Sequence, residues 1–345
     1  MAVILISSER FAEHTTPPGH PECPERAEVM DVVASRWRQQ GGEVVAPRLA
    51  TREQIARVHA AEYVGAIGET AGRALALDPD TYTSPESYEI ARLAAGAAVD
   101  AVERVVDGPH TAAVAMVRPP GHHAEHARAM GFCVFNNVAI AAAHARALGA
   151  ARVAIVDYDV HHGNGTQHMF ESDRTVLYVS THQHPFYPGT GAVDEIGQGD
   201  GTGFTVNLPL EVGAVDDDYR VVFQEVIEPV VRQFKPDLVL VSAGFDAHER
   251  DPLAGMRLTT DGFRAMTMAL RRVADECCAG RIALVIEGGY DLRALHDCLD
   301  ACVAALQASS GDAEWPAAAI RSTRGRQSAA EAKRALAPFW AFPGM

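Results

Sequence analysis

No stretch of the sequence approaches the roughly 20 uninterrupted apolar residues that a membrane-crossing helix needs. The opening Met-Ala-Val-Ile-Leu-Ile-Ser-Ser has neither a basic region nor a small-residue cleavage site, so it reads as a first strand and the protein is expected in the cytoplasm, with no membrane partner. The six cysteines, Cys23, Cys133, Cys277, Cys278, Cys298 and Cys302, form no C-x-x-C pair, and the adjacent Cys277 and Cys278 are poorly placed to bridge each other. Reduced thiols are expected rather than a disulfide framework. Positive charge is also short: 30 Lys and Arg against 45 Asp and Glu leave a formal net charge of −15. That balance repels phosphate backbones, which argues against direct nucleic-acid binding, and it attracts cationic substrates. There is no internal repeat and no long linker.

What is present is a large apolar fraction, 48% of 345 residues, enough for one sizeable α/β core. Short β-branched runs end in Gly, Asp or His and lead into alanine-rich stretches, the pattern of repeated strand–helix–strand units. Strands are expected at Val3–Ser7, Ala112–Val117, Val153–Tyr158, Val176–Ser180, Leu238–Ser242 and Ile282–Ile286. Helices are expected at Tyr88–Val106, Asn136–Leu148, Asp217–Phe234, Thr260–Cys278 and Leu292–Ala308. The predicted architecture is a three-layer α/β/α sandwich around a mostly parallel sheet, one domain over residues 1–345. Its core covers about 1–308, and a C-terminal extension, 309–345, packs on it. Gly189–Gly203 is glycine-rich enough to be an extended surface loop; it and the tail are candidate homo-oligomer contacts.

In parallel sheets, ligands bind beyond the carboxyl ends of the strands, where loops converge. Four predicted strand ends here are loaded: Arg118-Pro-Pro-Gly-His122-His123, Asp157-Tyr-Asp159-Val-His161-His-Gly-Asn164, Ala243-Gly-Phe-Asp246, and Glu287-Gly-Gly-Tyr290. Alternation in extended chain puts Asp157, Asp159 and His161 on one face, so a carboxylate and an imidazole can share one ion. Asp246, from another strand end, supplies a third ligand and leaves room for water and substrate, as catalytic zinc requires. Oxygen-rich ligation also admits Fe(II) or Mn(II). Taken singly, each motif has a bland reading: a solvated turn, a satisfied buried histidine pair, a packed tyrosine. Their coincidence at strand ends favours chemistry.

These strings, the first extended through Ala124-Glu125, with Gly131-Phe-Cys-Val-Phe-Asn-Asn, His20-Pro-Glu-Cys-Pro-Glu-Arg26, Phe186-Tyr-Pro-Gly-Thr-Gly191 and Asp251-Pro252, resemble the histone deacetylase family over roughly residues 14–305. Asn164 in place of Asp, and Glu-Gly-Gly-Tyr in place of Gly-Gly-Gly-Tyr, make the chain similar to class II members and their bacterial relatives. The resemblance implies the arginase/deacetylase fold and one zinc held by Asp159, His161 and Asp246. It implies His123 as general base and then acid, His122 as electrostatic support, and Tyr290 as donor to the oxyanion. Asp157 would orient His122 and Asn164 would orient His123, which should be less basic beside an amide than beside a carboxylate. Phe132 and Tyr187 would wall a narrow channel, with Gly131 and Leu253 also lining it and Asp80 on its rim. Structural potassium is implied at Asp157, Asp159, His161, Ser180 and Thr181, and again at Phe170, Asp173, Val176 and Phe204.

The expected reaction is hydrolysis of the acetamide on an acetylated lysine side chain of a peptide or protein. In polyamine-specific relatives a glutamate follows the Asp-Pro, whereas Leu253 stands here, so small acetylated amines and acetate esters are the alternative substrates. An arginase-like two-metal hydrolase and a non-catalytic acyl-lysine binding module are the further rivals. His122, His123 and Tyr290 argue against both.

Overall fold

The computed structural model describes residues 3–308, 315 and 321–342. Among the described residues ten strands form: β1 (Val3–Ile6), β2 (Glu43–Val45), β3 (Leu75–Ala76), β4 (Tyr82–Thr83), β5 (Ala112–Ala115), β6 (Val153–Asp157), β7 (Val176–Gln183), β8 (Thr205–Leu210), β9 (Leu238–Ala243) and β10 (Ile282–Ile286). Eight of them make one sheet in the order β2-β1-β5-β10-β9-β6-β7-β8, every neighbouring pair parallel. β3 and β4 form a small antiparallel hairpin beside it. The six expected strands are present, and β7 runs three residues further than expected.

β1, β5, β6, β9 and β10 are buried at every residue, which is why they read as continuous apolar runs rather than alternating ones. Side chains from the two faces enter two apolar cores, one on each side of the sheet. Each fully buried Val, Leu or Ile there contributes about 1.5–3 kcal/mol. The two strands of the eight-stranded sheet that the sequence pattern misses lie at its edges. β2 is three partly exposed residues, and β8 contains Pro209, which an edge strand tolerates because one side needs no ladder partner.

Helix Thr260–Cys278 lies where the periodicity placed it. Its start is capped by Thr259 Oγ1, which accepts from Gly262 N at 3.3 Å, and its end by left-handed Ala279 and Gly280. Asn136 and Asp291 likewise cap the helices Asn137–Ala147 and Leu292–Gln307, accepting from Ala139 N at 3.0 Å and Ala294 N at 2.7 Å. Both caps sit directly after site loops, so the same residues that start a helix aim a loop. Helix Glu25–Gln39 was not expected; Met30, Val33, Ala34 and Trp37 bury one face of it. In the C-terminal extension, residues 309–314, 316–320 and 343–345 lie outside those described. Helix Arg324–Leu336 packs Ala329, Ala332 and Leu336 into one of the cores, and Asp218 anchors its start by accepting from Ser322 Oγ and Gly325 N. The loop 189–203 is not extended. Glu195 accepts from Gly191 N, Ala192 N and Gln167 Nε2, which folds the loop back on itself and onto the helix Asn164–Phe170.

Among the described residues, no helix is long and apolar enough to cross a membrane.

Candidate active site

The strand order decides which motifs meet. β6, β9, β10 and β5 are consecutive neighbours in the sheet, with Asp157 opposite Ser242 across β6 and β9. The loops after these four strands therefore open at one edge and bring Asp159, His161, Asp246, His122, His123 and Tyr290 together.

Asp159, His161 and Asp246 present one ligand atom each, all within 4.8 Å of one another. His161 Nδ1 lies 3.2 Å from Asp159 Oδ1 and 3.1 Å from Asp246 Oδ2. Backbone amides aim both carboxylates: Asp159 Oδ2 accepts from Gly288 N at 2.9 Å, and Asp246 Oδ1 accepts from Val160 N at 2.9 Å. Space around them is reserved by glycine. A Cβ at Gly244 would stand 1.9 Å from Asp159 Oδ2, and one at Gly288 would stand 2.2 Å from Asp246 Oδ2. Two converging anionic oxygens and one imidazole nitrogen, the carboxylates held by backbone amides, fit a divalent cation with open positions left for water and substrate. Burial, with Asp159 beside it, pushes the Asp246 carboxyl up to about 7, so without a cation the two acids resist sharing the site.

His122 and His123 pack ring against ring at 4.0 Å but live in different fields. His122 Nδ1–H donates to Asp157 Oδ2 at 3.0 Å, and Asp157 is itself held by Tyr178 Oη and Asp159 N. Burial opposes a charge on His122, yet Asp159 and Asp157 outweigh it and the imidazole is pushed up to about 10. His123 is held well below the ordinary histidine value by burial and by the charges of His122 and His161. One ring is thus cationic and the other neutral, a division of labour suited to acid–base work. His123 Nδ1–H donates to Asn164 Oδ1 at 2.8 Å.

Tyr290 is placed by two contacts that the sequence did not disclose. Its backbone N–H donates to Asp251 Oδ2 at 2.7 Å, and the guanidinium of buried Arg26 lies 5.1 Å from its ring centroid. Arg26 also donates to the carbonyls of Glu287 and Gly289, while Glu22 ties it to Arg118 in a fully buried charge cluster. Burial holds the Tyr290 hydroxyl well above its ordinary value, so it is a proton donor at neutral pH. Glu287 closes the arrangement by accepting from Gly121 N, His122 N and Ser242 Oγ.

Aromatic walls stand over the metal-ligand set. The Tyr187 ring is 5.1 Å from that of His123, and the Phe132 ring is 5.8 Å from that of Tyr290. Phe186, which had no assigned role, stacks on His161 at 5.2 Å. Gly131 is required by contact: a Cβ there would sit 2.5 Å from His123 Cδ2. Asp80 belongs to the hairpin loop between β3 and β4, beside Thr81, whose hydroxyl accepts from Phe132 N at 3.0 Å. Asp78 Oδ1 caps the backbone of Asp80 at 3.0 Å. Leu253 is partly buried, and its N–H donates to Asp251 Oδ1 at 3.0 Å, on the same aspartate that holds Tyr290.

Of the residues named for potassium, Asp157 and Ser180 are register partners, and the buried hydroxyl of Thr181 has no hydrogen-bond partner among the described residues. The carbonyls of Phe170, Asp173 and Phe204 each already accept a backbone N–H.

Behind His123, His59 is buried and neutral. Its Nδ1–H donates to Glu125 O at 3.0 Å and its Nε2 accepts from Asn136 N–H at 2.9 Å, so protonation would break the second bond. Burial lowers it to about 4, and burial lowers His14 to about 4 as well. Both residues titrate near 6.5 when unfolded, so the unfolded chain binds more protons between about 6.5 and 4. Their stabilisation is complete above that window and is lost as pH falls through it, up to about 3 kcal/mol for each. Thermal unfolding followed from pH 7.5 to 5 should show a falling Tm, and His59→Gln should flatten the slope. A slope unchanged in that variant would refute the assignment.

A family model for the histone deacetylase domain matches residues 20–306. Among curated proteins, histone deacetylase 15 of Arabidopsis thaliana is 40% identical over 328 residues, covering 93% of this chain and 59% of that protein. A probable deacetylase of Archaeoglobus fulgidus is 40% identical over 295 residues, covering 85% and 82%. The human polyamine deacetylase HDAC10 is 41% identical over 341 residues, covering 93% of this chain and 50% of that protein. The crystal structure of the HDA15 HD domain superposes with a TM-score of 0.90 at 37% identity, over 98% of this chain and 95% of that one.

Proposed function

The chain belongs to the histone deacetylase family and has its α/β fold, and we propose that it is a zinc-dependent amidohydrolase removing acetyl groups from lysine side chains of peptides or proteins. The carrying observation is the buried Asp159–His161–Asp246 set with neutral His123, cationic His122 and Tyr290 gathered around it. We read residues 1–345 as one catalytic domain, with 309–345 as an extension on its core and potassium as a structural ion at the two sets named above.

Asp159, His161 and Asp246 would hold the zinc; when bound, it supplies a Lewis acid that polarises the acetyl carbonyl and acidifies water. His123 takes the proton of the attacking water on Nε2, because Nδ1 carries the hydrogen given to Asn164. The same imidazole then returns that proton to the departing amine. Tyr290 donates to the oxygen on which negative charge develops, and His122, charged against Asp157, stabilises that charge from the other side. Phe132 and Tyr187 flank the alkyl stem that carries the amide.

The choice of acyl-lysine over acetylated polyamine rests on Leu253, an apolar side chain at a position where a carboxylate would attract a distal ammonium. The similarity to a human polyamine deacetylase supports the second reading. Zinc-loaded enzyme is expected to turn over a fluorogenic acetyl-lysine peptide well and N-acetylspermidine or N-acetylputrescine poorly. Turnover of the polyamines alone would reverse the choice. Leu253→Glu should raise the N-acetylspermidine to peptide ratio of kcat/KM by about tenfold, the worth of one partly screened charge pair. An unchanged ratio would remove Leu253 from the specificity argument.

A further inference from the structure

Asn164 has a carboxamide that must face one way. Its Oδ1 accepts from His123 Nδ1–H, which leaves Nε2 of that ring with a lone pair for the attacking water. If the amide were turned over, its NH2 would face Nδ1, the ring proton would move to Nε2, and the base would be blocked. An aspartate at this position has no such ambiguity, since both of its oxygens accept.

The NH2 side of Asn164 meets three acceptors. Glu125 Oε1 lies at 2.5 Å, whereas His123 O at 3.4 Å and Met130 Sδ at 3.5 Å are weak partners. Turning the amide would set its oxygen against the Glu125 carboxylate. Glu125 is in turn held from two sides: His168 Nδ1–H reaches both of its oxygens at 2.9 and 3.0 Å, and His59 fixes its backbone carbonyl. The loop supplies rigidity as well, because Glu125 N donates to Arg128 O at 2.9 Å and the two residues form an isolated antiparallel bridge.

We propose that Glu125 is a positioning residue for the reaction, locking the Asn164 amide so that His123 keeps its proton on Nδ1 and its base on Nε2. This rests on the deacetylase reading above. Glu125 touches neither substrate nor metal ligands; it acts through Asn164. The negative charge that Asp-to-Asn exchange removes from beside His123 is present one side chain further out, on Glu125. His168 is the outer member of the set, a surface imidazole that holds the carboxylate in place.

The test is a double-mutant cycle on acetyl-lysine peptide turnover. Glu125→Ala is expected to lower kcat by about 10- to 100-fold with KM within about twofold, the scale of losses when a partner orienting a site histidine is removed. Asn164→Asp in the same background is expected to restore kcat to within a few-fold of wild type, because a carboxylate accepts from Nδ1–H in either orientation. Glu125→Gln, whose own amide can turn either its oxygen or its NH2 toward Asn164, should fall between Glu125→Ala and wild type. His123 read by 15N NMR should carry Nδ1–H in wild type and lose that preference in Glu125→Ala. Wild-type kcat in Glu125→Ala, or no rescue by Asn164→Asp, would each overturn the proposal. A wild-type enzyme inert on every acetylated amine would instead defeat the deacetylase reading, while the NMR arm would still decide the role of Glu125.

Discussion

Tyr290→Phe is expected to lower kcat on an acetyl-lysine peptide by about 100- to 1,000-fold, the cost of one missing donor to a developing oxyanion, and to leave KM within a few-fold. The substitution removes one oxygen and keeps the ring. Arg26 continues to cover that ring, Asp251 continues to hold the backbone N–H, and Phe132 keeps its edge contact. The loss therefore reports on the hydroxyl alone. Its readiness to donate follows from burial, which holds the phenol well above its ordinary value and keeps it protonated at any working pH. Steady-state kinetics with zinc-loaded protein, together with an unchanged Tm, make the comparison. A variant retaining more than about a tenth of wild-type kcat would take Tyr290 out of the mechanism.

Asp246→Asn separates metal binding from folding, because the two respond with opposite sign. The isosteric amide can keep the bond from Val160 N through its oxygen, but it then turns an NH2 toward the metal position, where a ligand must offer a lone pair. Zinc measured by elemental analysis after dialysis should fall from about one per chain toward zero, and turnover should be lost in proportion to the zinc. Without metal the same change relieves strain. In wild type, burial and the neighbouring Asp159 push the Asp246 carboxyl up to about 7, so at pH 8 two confined acids repel each other. Metal-free Asp246→Asn should therefore melt above metal-free wild type at pH 8, and below zinc-loaded wild type. An Asn variant that holds zinc stoichiometrically would show that the ligand set is not the one proposed.

The contrast between Tyr290 and Glu125 shows what kind of information each level carries. Tyr290 was legible because it follows a glycine pair at the end of an apolar run, and strand ends are where parallel sheets place function. Glu125 closes the string Arg118-Pro-Pro-Gly-His-His-Ala-Glu125 that carries part of the resemblance, but nothing local assigns it a role. It is an acid in a polar loop, and its meaning depends on Asn164 arriving from 39 residues away. Arg26 is similar: it lies on a helix that periodicity did not reveal, and its two carbonyl partners come from 261 and 263 residues away. Edge strands β2 and β8 escaped for a different reason. A three-residue strand and a strand interrupted by proline carry too little pattern, and only pairing with a neighbour makes them strands.

By itself, the sequence determined the local elements and the local chemistry. Buried parallel strands must be continuous apolar runs and helix starts need their capping side chains, whereas Asp159 and His161 lie beyond the end of β6, where Asp157 Oδ1 and Asp159 Oδ1 accept from Asp159 N and His161 N and turn the chain. What only the tertiary structure decided was assembly. The order β5-β10-β9-β6 sets Asp246 and the Glu287–Tyr290 turn beside Asp159 and His122, and the buried charges of Glu22, Arg26 and Arg118 hold that turn in place. Such contacts join residues up to 263 apart. No short window of sequence contains both partners, and it is the burial of both sheet faces that brings them together.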